Sequence, residues 1–210
     1  TLVYTLSLHD ALPIYAVMEG SKVQDSKGII PLFGVYLSLF PVKYYNRVSF
    51  ELERKMSGTQ RDEAECLLVK ASQECGYSMF QGIRSSREWD DLVKPMIECN
   101  EDQLRGFTAV ATALGWGNLI VKQIIPHKEL VIHVEDSYEA NGYLHEYGQA
   151  SSGKCFMLRG VAAALMDLLY GEEYPNGCFT FWARETHCRA QGDKYCEFIA
   201  SKTAVQKSCQ

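Results

Sequence analysis

The apolar positions of the chain follow two periods, and the change from one to the other divides it. From Ser57 onward the spacing is helical: Ala64, Leu67, Leu68, Ala71 and Cys75 form a stripe along Gln60–Cys75, and Gly76 is the expected stop. Ser85 or Ser86 can cap a second helix reaching Cys99. Within it Pro95 removes an amide donor and predicts a kink or a division. Glu101–Leu114 reads as a third helix, closed by Gly115-Trp116-Gly117.

The period then shortens. Asn118–Ile125 and Glu129–Glu135 are rich in Val and Ile and are joined by Pro126-His127-Lys128, as a hairpin would be. In the second, Leu130, Ile132 and Val134 alternate with Val131, His133 and Glu135. Ser137–Tyr147 is expected to be helical, and Gly148–Lys154 is a loop of small residues. Cys155–Tyr170 is the most apolar helix, with Gly171 as its stop. Cys178–Arg184 alternates again, and Lys194–Ala200 is its expected partner strand across Gly192-Asp193. Helices, a hairpin, helices and a second hairpin predict an α+β domain, an antiparallel sheet packed with helices.

Composition narrows the function classes. Apolar residues make up 47% of the 210 and charged ones 22%, enough for a packed core. A net charge of −5 gives no positive field for a phosphate backbone, so direct nucleic-acid binding is disfavoured. Eight cysteines are too few for a disulfide scaffold of this length. The longest apolar stretch, Gly28–Val42, is shorter than the roughly 20 residues that span a bilayer and contains Pro31 and Pro41. Cys155–Gly171 is interrupted by Arg159 and Asp167, so no membrane span is expected. Residues 1–15 lack the features of a signal peptide, and SLHDALPI resembles a translated sequencing adapter. Residues 1–17 are therefore expected to be non-native or disordered, with a natural start near Met18, and the protein is expected in the cytoplasm. Residues 18–114 are expected to be a helical part, 115–202 a core unit and 203–210 a frayed tail.

The sharpest chemical signal is Glu185-x2-Cys188-x7-Cys196, whose cysteines flank the Gly192-Asp193 turn. Convergent thiolates at a hairpin grip structural zinc, and Cys155 at the start of the apolar helix is the candidate fourth ligand. Three thiolates and a carboxylate sum to −4, so Zn²⁺ leaves −2. Lys154, Arg184 and Arg189 are the cations adjoining these ligands in sequence. Spacing alone leaves a second reading open, with Cys155 and Cys196 as ordinary buried thiols and Glu185 as a solvated strand end. Cys66, Cys75, Cys99 and Cys178 read as packing residues.

These residues carry a resemblance. Gly115–Lys202 resembles the 4-vinyl reductase domain, a small-molecule-binding module that also serves as the sensor of aromatic-responsive transcription activators. The likeness rests on GWGN at 115–118, VEDSYEA at 134–140, HEYG at 145–148, CFMLRGVAAALMDLLYG at 155–171 and ETHCRAQGDKYCEF at 185–198. It implies a fold shared with vesicle-tethering subunits, a structural zinc held by Cys155, Glu185, Cys188 and Cys196, and a homodimer. The phenol-sensing members place a ligand-contacting tryptophan 21 residues before the first zinc cysteine, where this chain has Val134, and no histidine stands at the corresponding place near the end of the third helix. Phenol recognition is therefore not implied. No ATPase or DNA-binding segment follows, so output is expected to pass to another, unknown protein.

A module of this type binds a small apolar or aromatic molecule between sheet and helices. Trp116, Phe107, Phe156, Tyr143 and Trp182 are the candidate aromatic lining, with Val134 beside them and His133 as a polar handle. Gly148-x4-Gly153-Lys154 has a phosphate-loop outline, but Cys155 stands where magnesium coordination needs Ser or Thr. Catalytic thiol chemistry at Cys155 would need a base such as His133, His145 or His187. The resulting expectation is a sensory or carrier protein. The alternatives are an enzyme or accessory subunit of chlorophyll-type vinyl reduction, for which no nucleotide fingerprint or flavin site is evident, and a protein–protein adaptor.

Overall fold

The computed structural model of the chain describes residues 30–38 and 40–203. Expectations for residues 1–17, Met18 and 204–210 lie outside the described residues. In chain order the elements are β1 (Ile30–Leu32), β2 (Val35–Leu37), α1 (Val42–Lys55), α2 (Thr59–Arg84), α3 (Arg87–Leu92), a 3-10 turn (Lys94–Met96) and α4 (Asn100–Ala113). There follow β3 (Asn118–Ile125), β4 (Glu129–Glu135), α5 (Tyr138–Tyr147), α6 (Phe156–Tyr170), β5 (Trp182–His187), a second 3-10 turn (Arg189–Gln191) and β6 (Cys196–Ser201).

β1 and β2 form a small hairpin, and the other four strands form an antiparallel sheet in the order β3-β4-β6-β5. One register fixes its two faces. Leu130 pairs with Ala200, Ile132 with Phe198 and Val134 with Cys196, and all six are buried. The residues between them, His133 and Glu197 among these, face the other way. A bulge between Val121 and Gln123 interrupts the β3–β4 ladder at Lys122. The buried face of the sheet packs against α6, which in turn makes its most extensive contact with α2. The α+β class expected from the sequence is therefore the observed one.

Pro95 divides the segment after Ser86 into α3 and a 3-10 turn, and the Ser86 hydroxyl caps α3 by accepting from the Trp89 amide at 3.1 Å. Gly171 ends α6 as expected. Three expectations need correction. Gly76 does not stop its helix, which runs on to Arg84. A Cβ there would lie 3.2 Å from Ala164 and 3.4 Å from Val161, so this glycine lets α2 and α6 approach. Cys178–Arg184 is not a strand over its first half. The Asp167 carboxylate accepts from the amides of Phe179 (2.9 Å) and Phe181 (2.7 Å), which diverts them from a ladder until Trp182. The 18–114 part is not purely helical, because Gly28–Val42 contains the β1–β2 hairpin, turned at Phe33 and Gly34 with φ of 48° and 71°. Periodicity also misses α1. Its buried positions are Asn46, Ser49, Phe50 and Glu53, three of which are polar.

Candidate functional site

Two elements meet where the four proposed ligands lie. Cys155 is the residue from which α6 starts, and Glu185, Cys188 and Cys196 belong to the β5–β6 hairpin. The connection is shaped for this. The Asp193 carboxylate accepts from the Cys188 amide at 2.8 Å, the Gln191 amide donates to the Cys188 carbonyl at 2.8 Å, and Gly192 adopts φ 103°. One donor atom from each of Cys155, Glu185, Cys188 and Cys196 lies within 4.8 Å of the others. All three cysteines are buried and free. The sulfurs of Cys155 and Cys196 stand 3.5 Å apart, close to the ~3.8 Å expected of two thiolates sharing one tetrahedral zinc.

The donor chemistry fits a soft divalent ion. Glu185 Oε2 accepts from the Cys155 amide at 3.1 Å, while its Oε1 is buried with no hydrogen-bond partner among the described residues. The Cys155 sulfur also meets the Ser137 hydroxyl at 3.2 Å, and the Cys196 sulfur accepts from the Arg189 amide at 3.4 Å. Without a cation these groups ionise unequally. Burial, then the neighbouring Cys188, pushes the Glu185 carboxyl up to about 8. Burial likewise pushes the Cys155 thiol well above its ordinary value, whereas hydrogen bonds from Cys155 and Cys188 lower Cys196. Packing four acidic groups together and drying them is unfavourable until a divalent charge sits among them.

The three sequence-adjacent cations do not provide that compensation. Lys154 directs its buried ammonium to Glu53 (2.9 Å) and Ser152 (3.1 Å), Arg184 is exposed, and the Arg189 guanidinium reaches Asp136 at 3.3 Å. The pairing of Lys154 also leaves the phosphate-loop outline without its cation. Sequence reasoning missed Glu139. This fully buried carboxylate caps the start of α6, accepting from the amides of Met157 (2.9 Å) and Leu158 (3.0 Å) and from the Tyr45 hydroxyl (2.5 Å). Burial raises it to about 7 against those hydrogen bonds. Its only sequence signal is its place two residues after Ser137, which itself caps α5 through the Ala140 amide.

The proposed pocket residues separate into three groups. Phe107 stacks on Trp89 (4.7 Å between ring centroids) and packs on Phe80 (5.2 Å), and Trp116 meets Phe80 edge-on at 6.2 Å. Val134 lies on the buried face of the sheet near that cluster; a Cβ on Gly117, next to Trp116, would stand 2.6 Å from it. Tyr143 and Phe156 instead surround Phe50, at 5.0 and 6.1 Å. His133 and Trp182 are on the outer face of the sheet. His133 bonds Glu197 at 2.7 Å and stacks on Tyr195, and Trp182 stacks on Phe179. An open groove of about 540 Å³ between α1 and α5 is lined by Val42, Asn46, Gly142 and Tyr147 among others, so Tyr143 and Phe156 are near it in the fold without lining it.

No protein-family profile matches the chain. Its fold is that of the phenol-responsive sensory domain of the transcription activator PoxR, solved with phenol: TM-score 0.69, 16% identity, covering 94% of this chain and 92% of that one. Subunit 3 of the trafficking protein particle complex from Naegleria fowleri, covalently bound to palmitic acid, is similar at TM-score 0.51 and 11% identity, over 76% of this chain and 93% of that one. In sequence, 64 residues are 36% identical to the phenol regulator MopR of Acinetobacter guillouiae, a match spanning 30% of this chain and 10% of that regulator. Among the described residues no helix is long and apolar enough to cross a membrane.

Proposed function

We propose that this chain is a small-molecule-binding sensory domain of the 4-vinyl reductase type, clamped by a structural zinc ion on Cys155, Glu185, Cys188 and Cys196. The observation that carries the reading is the convergence of those four donors within 4.8 Å in a chain with the fold of a phenol-responsive sensor. The local likeness to MopR supports the same reading. Bound zinc would supply the positive charge that keeps three thiols and a carboxylate ionised in a dry site. Four protein ligands complete a tetrahedron, which makes the role structural and leaves no position for a catalytic water.

The ligand is a small apolar or aromatic molecule, seated beside the ring cluster of Trp116, Phe80 and Phe107. Phenol itself is not the expected ligand, since a valine replaces the tryptophan of the phenol-sensing pattern. The chain acts as a homodimer. The test is native purification followed by elemental analysis and mass spectrometry of an organic extract. One zinc per chain and a stoichiometric apolar compound are expected; protein carrying neither, and binding neither when offered, would overturn the reading.

A second reading, an adaptor working by protein contact, is favoured by one observation. Phe40 and Tyr44 stack at 5.5 Å while remaining 68% and 60% exposed, an arrangement suited to burial against a partner.

A further inference from the structure

We infer that Arg159 is the internal counter-cation of the Cys155–Glu185–Cys188–Cys196 cluster and sets how tightly that cluster holds a divalent metal. The inference rests on the zinc reading above. The charge of the donor set demands such a group: four anionic ligands around one divalent ion leave −2 in a buried place, and an uncompensated buried charge is strongly unfavourable.

Arg159 is four residues beyond Cys155 on α6, and its amide donates to the Cys155 carbonyl at 3.1 Å. Helical side chains lean toward the N-terminus, so this position covers the turn that Cys155 begins. The residue is 7% exposed, and its Nε and Nη2 have no hydrogen-bond partner among the described residues. A buried guanidinium with idle donors is unfavourable unless anions surround it. The anions acting on it are Glu185 first, then Glu65, Glu139 and Cys155, so two of the four proposed ligands are among them. Burial lowers its pKa and these anions oppose the shift. Lys154 pairs with Glu53 and Arg184 is exposed. Arg189 also has a buried Nε without a hydrogen-bond partner among the described residues, but its side chain is 30% exposed and directs its Nη1 to Asp136, which leaves Arg159 the more buried of the two guanidiniums. A weakly hydrated guanidinium suits a dry site better than an ammonium does.

Glu65 is the competitor. It is shared with Arg61 at 3.5 Å and draws on Arg159 from α2. Full ionisation of the cluster on metal loading would shift the balance of attraction on Arg159 toward the ligands, and the idle Nε and Nη2 are available to answer it.

The test measures zinc affinity by chelator competition on the purified chain, for wild type, R159M, R159K and E65Q. Cobalt absorption serves as a report of thiolate ligation. R159M is expected to bind zinc ten- to a hundredfold more weakly, the range for groups just outside a ligand set, with its thiolate-to-cobalt bands unchanged because the donors are intact. R159K keeps the charge and should stay within a few-fold of wild type; E65Q removes the competing anion and should bind several-fold tighter. R159M equal to a zinc-binding wild type overturns the inference alone, as does R159K falling as far as R159M. Wild type that takes up no zinc overturns the zinc reading itself, and this inference with it. If R159M does not fold, E65Q decides: tighter binding supports the counter-cation role, and equal or weaker binding overturns it.

Discussion

The amide of Cys155 donates to Glu185 Oε2 at 3.1 Å, so the start of α6 is joined to β5 by a hydrogen bond before any metal is considered. Gly153 makes this approach possible, because a Cβ there would stand inside contact distance of the Glu185 carboxylate. Helix and hairpin are thus held in register by the chain itself, and the sulfurs of Cys188 and Cys196 arrive on the same spot.

Zinc content and stability should fall together. Cys188→Ser or Cys196→Ser is expected to lose most of about one equivalent of zinc and to melt well below wild type, since metal-binding energy is folding energy where the site forms only in the native state. Elemental analysis and thermal melts check this. Full metal content in both variants contradicts the ligand assignment.

The α2–α6 crossing predicts opposite outcomes at two glycines. A Cβ on Gly160 would stand 2.5 Å from the Val69 carbonyl oxygen and 2.7 Å from the Gln73 amide nitrogen, both backbone atoms that cannot turn aside. Gly160→Ala should cost about 3 kcal/mol or more. On Gly76 the nearest atoms are side-chain carbons at 3.2 and 3.4 Å, and the helix propensity of alanine offsets the crowding, so Gly76→Ala should change stability by less than about 1 kcal/mol. Chemical denaturation compares the two.

Asp167 predicts a pH dependence. Burial raises its carboxyl to about 6, against the hydrogen bonds of Gln73, Phe181 and Phe179. A folded pKa above the ordinary 3.8 means that the protonated form is preferred on folding. Its contribution is therefore full below about pH 3.8 and is lost as pH rises through about 6. Asp167→Asn should flatten this part of the stability curve between pH 4 and 6. A curve unchanged in that window would show that Asp167 does not titrate there.

The buried pair of Lys154 and Glu53 should be asymmetric under mutation. Arg61 also pairs with Glu53, so Lys154→Met leaves the carboxylate neutralised, with an expected loss of about 1–2 kcal/mol. Glu53→Ala strands a buried ammonium whose remaining partners are Ser152 and the face of Tyr143, and should cost about 3–5 kcal/mol. Equal losses from the two would argue against a shared carboxylate.

Much of this architecture was legible where the inner face of an element is apolar. The alternation of Leu130, Ile132 and Val134 reports the buried face of β4 directly, and the run after Cys155 reports α6. Where polar residues point inward the pattern is silent. Asn46, Ser49 and Glu53 hide α1 from periodicity, and Asp167 takes the amides of Phe179 and Phe181 that the alternation assigns to a strand ladder. Cys155 was a candidate from its place at the start of the apolar helix and from the family resemblance, whereas Glu185, Cys188 and Cys196 were readable as a set because the two cysteines bracket a turn. The cations were not, since adjacency in sequence says little about direction. Both Lys154 and Arg159 are buried, but Lys154 turns toward α1, while Arg159, an interruption of the apolar pattern of α6, keeps two guanidinium nitrogens without a hydrogen-bond partner among the described residues.

The bulge at Lys122 has a bearing on assembly. β3 is one of the two margins of the sheet, and there the ladder slips by a residue while an exposed lysine side chain stands in the way of an incoming strand. Copies of the molecule are discouraged from zipping together along that seam. A pair formed at that margin would have to be built side chain to side chain, which leaves β5 as the sheet's other edge for strand pairing.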